Sequence, residues 1–115
     1  MKGEGNMASD REYLAYVLDQ LSELKDVRWR AMMGEYILYY RDKVVGGIYD
    51  NRLLVKPVPP AVEMMPDAPR ECPYEGAKEM LLVEELDNRE FMVRLLQAMY
   101  EALPVPKKKK SSKRA

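Results

Sequence analysis

The stretch from Val27 to Lys56 constrains the fold more than any other part of this 115-residue chain. It contains four short segments with the composition of β-strands, separated by turn-forming residues at Gly34, 41–43 and Asp50–Asn51. The segments are Val27 to Met32, Tyr36 to Tyr40, Val44 to Tyr49 and Leu53 to Val55. Connections this short leave no room for a crossover helix between strands. The sequence therefore predicts an antiparallel β-meander.

An amphipathic helix is predicted on each side of the meander. The first runs from about Asp10 to Leu24, with Ser9 as its N-cap and Glu12 in the capping-box position. The second follows Asp87 or Asn88 as its cap and ends before Pro104. Their apolar stripes are Leu14, Val17, Leu18, Leu21 and Leu24 in the first, and Phe91, Met92, Leu95, Leu96, Met99 and Leu103 in the second. Strands flanked by such helices indicate an α+β fold with both helices on one face of the sheet.

The link from Pro57 to Pro73 contains six of the eight prolines, so it cannot form a long helix or a central strand. Pro60 can start a short helical turn that reaches Met65. The segment from Gly76 to Val83 can return to the sheet as a fifth strand. The predicted architecture is thus a meander of four to five strands with an N-terminal and a C-terminal helix.

The distribution of charge divides the chain into three parts. Residues 1–8 are predicted to be a flexible extension, residues 9–104 a single domain, and residues 105–115 a disordered basic tail. The formal net charge of zero hides this asymmetry, because six of the 19 basic residues lie in the tail. The remaining 13 face 19 acidic residues, so the part before the tail carries a net charge near −6.

The chain has no histidine and a single cysteine, Cys72. The usual general base, the commonest zinc ligand and any Ser-His or Cys-His pair are therefore excluded. One cysteine cannot form an intramolecular disulfide, which suits a reducing, cytoplasmic location. The acidic cluster Glu84, Glu85 and Asp87 offers carboxylates, but nothing fixes their spacing for catalysis. We expect no enzyme activity, no cofactor and no metal site.

Three motifs in the meander resemble a known family. Residues 30–34 read RAMMG, residues 36–39 read YILY, and residues 50–56 read DNRLLVK. This pattern resembles the N-terminal domain of the TfoX/Sxy family, bacterial proteins linked to the regulation of competence, and the resemblance covers roughly residues 9 to 103. The chain departs from the family's Arg-x-Met-Phe-Gly-Gly start at Met33 and at Glu35. It matches that domain alone, without the C-terminal helical domain of the longer regulators.

The resemblance implies a non-enzymatic regulatory or binding domain that acts through protein contacts, with no catalytic residues to carry over. The candidate interaction surface lies in the meander and comprises Arg28, Arg30, Tyr36, Ile37, Tyr39, Arg41, Arg52 and Lys56. The alternative is an accessory nucleic-acid-binding protein, since basic residues among aromatic ones can bind phosphates and stack bases. Its tail contacts would be Lys107, Lys108, Lys109, Lys110, Lys113 and Arg114. The competing interpretation of both groups is a solvated surface and a solubilising tail.

Two further expectations concern the faces of the sheet. Alternation places Trp29 on the core side, at least partly buried beneath Leu18 or Leu21, with Arg28 and Arg30 on the opposite side. In the second strand both alternating sets are apolar, so Ile37 and Tyr39 are left on the face that the helices do not cover. That face is predicted to bind a protein partner or a second copy of the chain, unless the proline-rich link folds across it. No membrane partner is expected.

Overall fold

The computed structural model describes residues 10–104, and the predictions for the N-terminal extension, for Ser9 and for the basic tail lie outside the described residues. Within residues 10–104, three helices and six strands follow one another in the order α1, β1 to β4, α2, β5, β6 and α3. The helices are α1 Arg11–Gln20, α2 Pro59–Met64 and α3 Arg89–Tyr100. The strands are β1 Val27–Met32, β2 Glu35–Tyr40, β3 Lys43–Ile48, β4 Leu53–Val55, β5 Arg70–Glu71 and β6 Met80–Leu82.

All strands form one antiparallel sheet with the order β1-β2-β3-β4-β6-β5. The four predicted meander strands are confirmed, and the predicted return of the chain to the sheet is confirmed as β6. The strand that the sequence does not predict is β5, a two-residue segment inside the proline-rich link. The predicted helical turn after Pro60 is confirmed as α2, with proline in its first turn.

Two of the three turns of the meander have positive φ at both central residues. Met33 and Gly34 connect β1 to β2, and both have positive φ, 53° and 86°. Asp50 and Asn51 connect β3 to β4 with φ of 55° and 56°. Positive φ at both central residues is the type I′ geometry, whose twist matches that of the flanking strands. Glycine, asparagine and aspartate tolerate this conformation, which explains Gly34, Asp50 and Asn51 but not Met33.

The core lies between one face of the sheet and the two long helices, and we call this side the helix face. Buried residues of the sheet on this face are Tyr36, Leu38, Tyr40, Val45, Ile48, Leu53, Val55, Leu81 and Val83. The helices contribute Leu14 and Val17 from α1 and Met92, Leu95, Leu96 and Met99 from α3, and Leu21 follows the end of α1. Both predicted stripes are therefore confirmed, with Leu18, Leu24 and Phe91 partly buried at their margins.

The helix caps differ from each other. In α3 the Asn88 side chain accepts a hydrogen bond from Phe91 N at 3.0 Å, so Asn88 is the cap among the two predicted candidates. In α1 the N-cap position is occupied by Asp10, whose side chain makes no capping hydrogen bond. Instead Asp10 N donates to Asn51 Oδ1 at 2.8 Å. The start of α1 is thus tied to the β3–β4 turn rather than closed by a capping box.

Candidate functional site

Strand β1 is the long free edge of the sheet. It pairs with β2 on one side, and among residues 10–104 no strand pairs with its other side. Val27 is half-buried, whereas the other five residues of the strand are exposed. The opposite edge of the sheet is only the two residues of β5. An edge strand presents unpaired backbone N–H and C=O groups, so another strand can pair with it. Strand β1 offers a longer edge for such pairing than β5 does.

Exposed apolar side chains are concentrated at the same edge. Five large apolar side chains are exposed within residues 10–104, and three of them lie between residues 29 and 33. Trp29 is 39% exposed, Met32 50% and Met33 95%. We call residues 27–33 the β1 edge. Since large apolar groups next to a free strand edge favour contact with another chain, this is the principal candidate surface.

Trp29 lies on the predicted face but not in the core. It pairs with Leu38, so Val27, Trp29 and Ala31 point to the helix face and the predicted alternation is confirmed. The side chain is 39% exposed, so it is partly covered as predicted but does not belong to the buried core. Its ring contacts Tyr36 edge-to-face, with 5.5 Å between centroids. The reason is position in the sheet: β1 extends the helix face beyond the buried core residues of β2.

Arg28 and Arg30 point to the opposite side of the sheet, which we call the outer face. Arg28 pairs with Tyr39 and Arg30 with Ile37. Both arginines are exposed, whereas Tyr39 and Ile37 are half-buried. Within residues 10–104 the salt bridges are Arg52–Glu71 and Arg89–Asp19, so neither β1 arginine is neutralised by a described carboxylate. The β1 edge therefore combines apolar groups with two arginines that form no salt bridge within residues 10–104.

The structure separates the remaining predicted site residues from this edge. Tyr36 is buried in the core, 8% exposed, and is no part of any surface. Arg41 lies over the rings of Tyr40 and Tyr100, each 5.5 Å from its guanidinium carbon. Lys56 is half-buried on the outer face, away from β1. The predicted set is thus not one surface.

Arg52 has a role within the fold. Its Nη1 donates to Glu71 Oε1, and its Nε donates to the Tyr49 carbonyl at 3.0 Å. The pair is partly buried and connects the start of β4 to β5. Arg52 thus holds the proline-rich link against the sheet, and its charge is already neutralised.

A groove of about 540 Å³ lies on the outer face over β3, β4 and β6. The residues that line it include Val44, Tyr49, Lys56, Pro57, Pro73, Tyr74, Lys78, Glu79 and Met80. The two ends of the proline-rich link, at Pro57 and Pro73, therefore reach this part of the outer face, while Ile37 and Tyr39 on β2 do not line the groove. Tyr74 is not among the residues predicted from the sequence. The only feature that marks it there is an aromatic side chain between Pro73 and Gly76.

Two ionisable groups of the groove respond to burial. Burial raises the pKa of Tyr49 above its ordinary value, with smaller contributions from Tyr74 and Glu35. Burial lowers the pKa of Lys56, because leaving water disfavours the ammonium form. Partial burial in the groove therefore disfavours the charged form of both side chains.

Metal ligation, membrane insertion and thiol chemistry are the remaining possibilities for the described part of the chain. Residues 10–104 contain no group of three Asp, Glu or Cys side chains placed to hold a metal ion. In the same residues, no helix combines the length and the apolarity needed to cross a bilayer. Cys72 is an exposed free thiol. The acidic residues Glu84 and Glu85 border a shallow depression between α2 and α3.

Comparison with known proteins shows a relative of similar length. A protein of Spirochaeta aurantia, described as an uncharacterized 12.7 kDa protein in the trpE 5′ region, is 38% identical to this chain over 106 residues. The match covers 91% of this chain and 92% of that protein. No protein-family model matches the chain. No solved structure matches it either.

Proposed function

We propose, from the premise that the chain belongs to one family with the uncharacterized 12.7 kDa protein of Spirochaeta aurantia, that it is a non-enzymatic protein-binding domain. Its binding site is the β1 edge, and its occupant is an acidic extended segment of a partner protein. The observation that carries the proposal is the six-residue edge strand with exposed Trp29 and Met32 and no neighbouring strand among residues 10–104.

The backbone of β1 supplies the affinity in this proposal. An extended peptide that joins a sheet edge pairs its own N–H and C=O groups with those of the edge strand, and alternate side chains set specificity. On the helix face the peptide would contact Trp29, an aromatic side chain that buries a large area at low entropy cost. On the outer face it would meet Arg28 and Arg30.

Charge favours an acidic partner over a second copy of the chain. Consider two copies paired antiparallel through β1, with the helices of both copies on the same side of the joined sheet. Two registers then use most of the strand. In one register Arg28 of one copy faces Arg30 of the other, and in the second register the two Arg30 side chains face each other. Like charges directly opposite each other destabilise a strand pair. A partner strand with glutamate or aspartate at these positions would instead form ion pairs.

The net charge of the domain weighs against nucleic acid as the occupant. The part before the tail carries 13 basic and 19 acidic residues, and phosphate binding depends on positive charge over a wide surface. Two arginines on one strand match one acidic segment better than a phosphate backbone. The resemblance of the meander motifs to the TfoX/Sxy N-terminal domain supports a regulatory setting, in transcriptional or competence-related control, for this binding.

A site-specific cross-link tests the proposal. A photoreactive phenylalanine analogue replaces Met32 on β1, or Tyr16 on α1 as a control with a similarly exposed side chain. After irradiation in the native cell, a protein should be captured at position 32 and not at position 16. The captured protein is then purified and its affinity measured by calorimetry.

The affinity measurement uses charge reversal. The double variant Arg28→Glu, Arg30→Glu should weaken binding by at least about tenfold, because each charged contact is worth about 1.5–3 kcal/mol. The matched variant Arg11→Glu, Arg94→Glu changes the net charge equally at exposed helix positions and should bind normally. Equal loss in both variants, or a nucleic acid as the species cross-linked at position 32, would contradict the proposal.

A further inference from the structure

The outer-face groove is a second concave site, separate from the β1 edge. It lies over β3, β4 and β6, on the other side of β2 from β1. Its volume of about 540 Å³ falls in the range of pockets that hold small molecules, about 300–1,000 Å³. The groove therefore has room for a ligand of moderate size, independently of the function proposed above.

Aromatic and apolar side chains form most of its wall. Tyr49 and Tyr74 meet edge-to-face, with 6.3 Å between ring centroids. Tyr49 is buried, whereas Tyr74 is 63% exposed and is held by this contact at the rim. Val44 and Met80 also line the groove. An exposed tyrosine next to half-buried Val44 and Met80 offers a partly accessible apolar surface.

Lys56 brings a positive charge into this apolar wall. Its side chain is half-buried, and the salt bridges of residues 10–104 do not include it. The other charged residues of the groove are Lys78 and Glu79, both exposed. Burial already lowers the pKa of Lys56, so the fold holds the ammonium where it is poorly solvated. An anion placed next to it would replace the lost water contacts.

We propose that the groove binds a small organic carboxylate, with its carboxylate on Lys56 and its apolar body against Tyr74 and Met80. The charge of the groove decides between this occupant and the basic tail of the chain. Two lysines against one glutamate leave the groove positive, so it repels the segment from Lys107 to Arg114. An anion with a flat apolar body would pair with the positive charge of the groove and pack against its apolar wall.

A titration followed by ¹⁵N–¹H correlation spectra tests the site with 2-naphthoate as the probe and 2-naphthamide as its neutral counterpart. Naphthoate should produce saturable shifts at the amides of Tyr49, Lys56 and Met80, and naphthamide should bind at least about tenfold more weakly. Lys56→Met should lower naphthoate affinity by the same factor. Lys25→Met, at an exposed position outside the groove, is the matched control and should bind like the wild type.

A second measurement covers the case in which Lys56→Met fails to fold. In the wild-type protein the side-chain ¹³Cε–¹Hε signals of Lys56 report its pKa, which should rise on adding naphthoate and stay unchanged with naphthamide. Equal binding of the two probes, unchanged affinity in folded Lys56→Met, or shifts confined to residues outside the groove would each overturn the proposal. The cross-link at position 32 does not depend on this result, so failure here leaves the β1 proposal intact.

Discussion

The Tyr49 side chain lies over Gly47 on the outer face of the sheet. A Cβ at Gly47 would come within 2.8 Å of the Tyr49 hydroxyl and 2.6 Å of the Tyr36 carbonyl oxygen. The glycine thus lets the tyrosine pack onto the strand and form the inner wall of the outer-face groove. Any larger residue at position 47 must displace both the Tyr49 ring and the backbone of β2.

Gly47→Ala should therefore destabilise the fold. Forcing a methyl group into a packed site costs about 1–3 kcal/mol. Urea unfolding followed by circular dichroism measures the change. Ala31→Ser, a small change on the exposed strand β1, is the control and should stay within about 0.5 kcal/mol of the wild type. Wild-type stability in Gly47→Ala would show that Tyr49 is free to move away from the glycine.

Removal of Arg52 should destabilise the protein more than removal of Arg89. Arg52 is partly buried and donates to both Glu71 and the Tyr49 carbonyl, so Arg52→Met should cost about 1.5–3 kcal/mol. The Arg89–Asp19 pair is more exposed, with side-chain exposures of 43% and 61%. Arg89→Met should cost about 1 kcal/mol or less. Thermal and urea unfolding of the two variants compare them, and the reverse order of losses would contradict this role of Arg52.

Trp29→Ala should have the cost of an edge residue rather than of a core aromatic. The side chain is 39% exposed and its aromatic contact is with Tyr36. We expect a loss of about 1–2 kcal/mol, below the about 2–5 kcal/mol expected for the fully buried Met92→Ala. Urea midpoints of the two variants decide this. Equal losses would show that Trp29 belongs to the core.

These residues also show how far the sequence alone leads. The alternation of β1 predicts which face Trp29 points to, because a period of two is a local property. It does not predict burial, since that depends on how far the helices reach across the sheet. Similarly, β5 is hidden among prolines, because its two residues become a strand only through pairing with β6, which the local sequence does not encode.

The candidate surfaces divide in the same way. Arg28 and Arg30 were found from their spacing along one strand. The sequence does not predict the groove, because Tyr49, Lys56 and Tyr74 come from three separate segments that only the folded sheet brings together. The prediction that grouped Tyr36 with Tyr39 failed for a simpler reason. The grouping follows residue type, whereas alternation along β2 places Tyr36 and Tyr39 on opposite faces of the sheet.

The alkaline stability should depend on Tyr49. Burial holds its pKa above the ordinary value of 10.0, so the unfolded state loses this proton first as the pH rises. The contribution of the neutral Tyr49 side chain to the free energy of unfolding is complete below pH 10, and it is lost as the pH rises through the folded-state pKa. Tyr49→Phe should therefore lose stability less steeply than the wild type between about pH 9 and 11. Lys56 acts with the opposite sign in both proteins, because its pKa is lowered. Equal slopes in urea unfolding would show that Tyr49 ionises freely when folded.

Amide hydrogen exchange tests the β1 edge as a binding site most directly. Exchange is measured for the free protein and for its complex with the protein cross-linked through position 32. A strand added to the edge protects amides that point away from β2, so exchange should slow within residues 27–33 and stay unchanged in α1 and α3. The Arg28→Glu, Arg30→Glu variant should lose this protection. Unchanged exchange at residues 27–33, with protection confined to the helices or to the outer-face groove, would contradict the account.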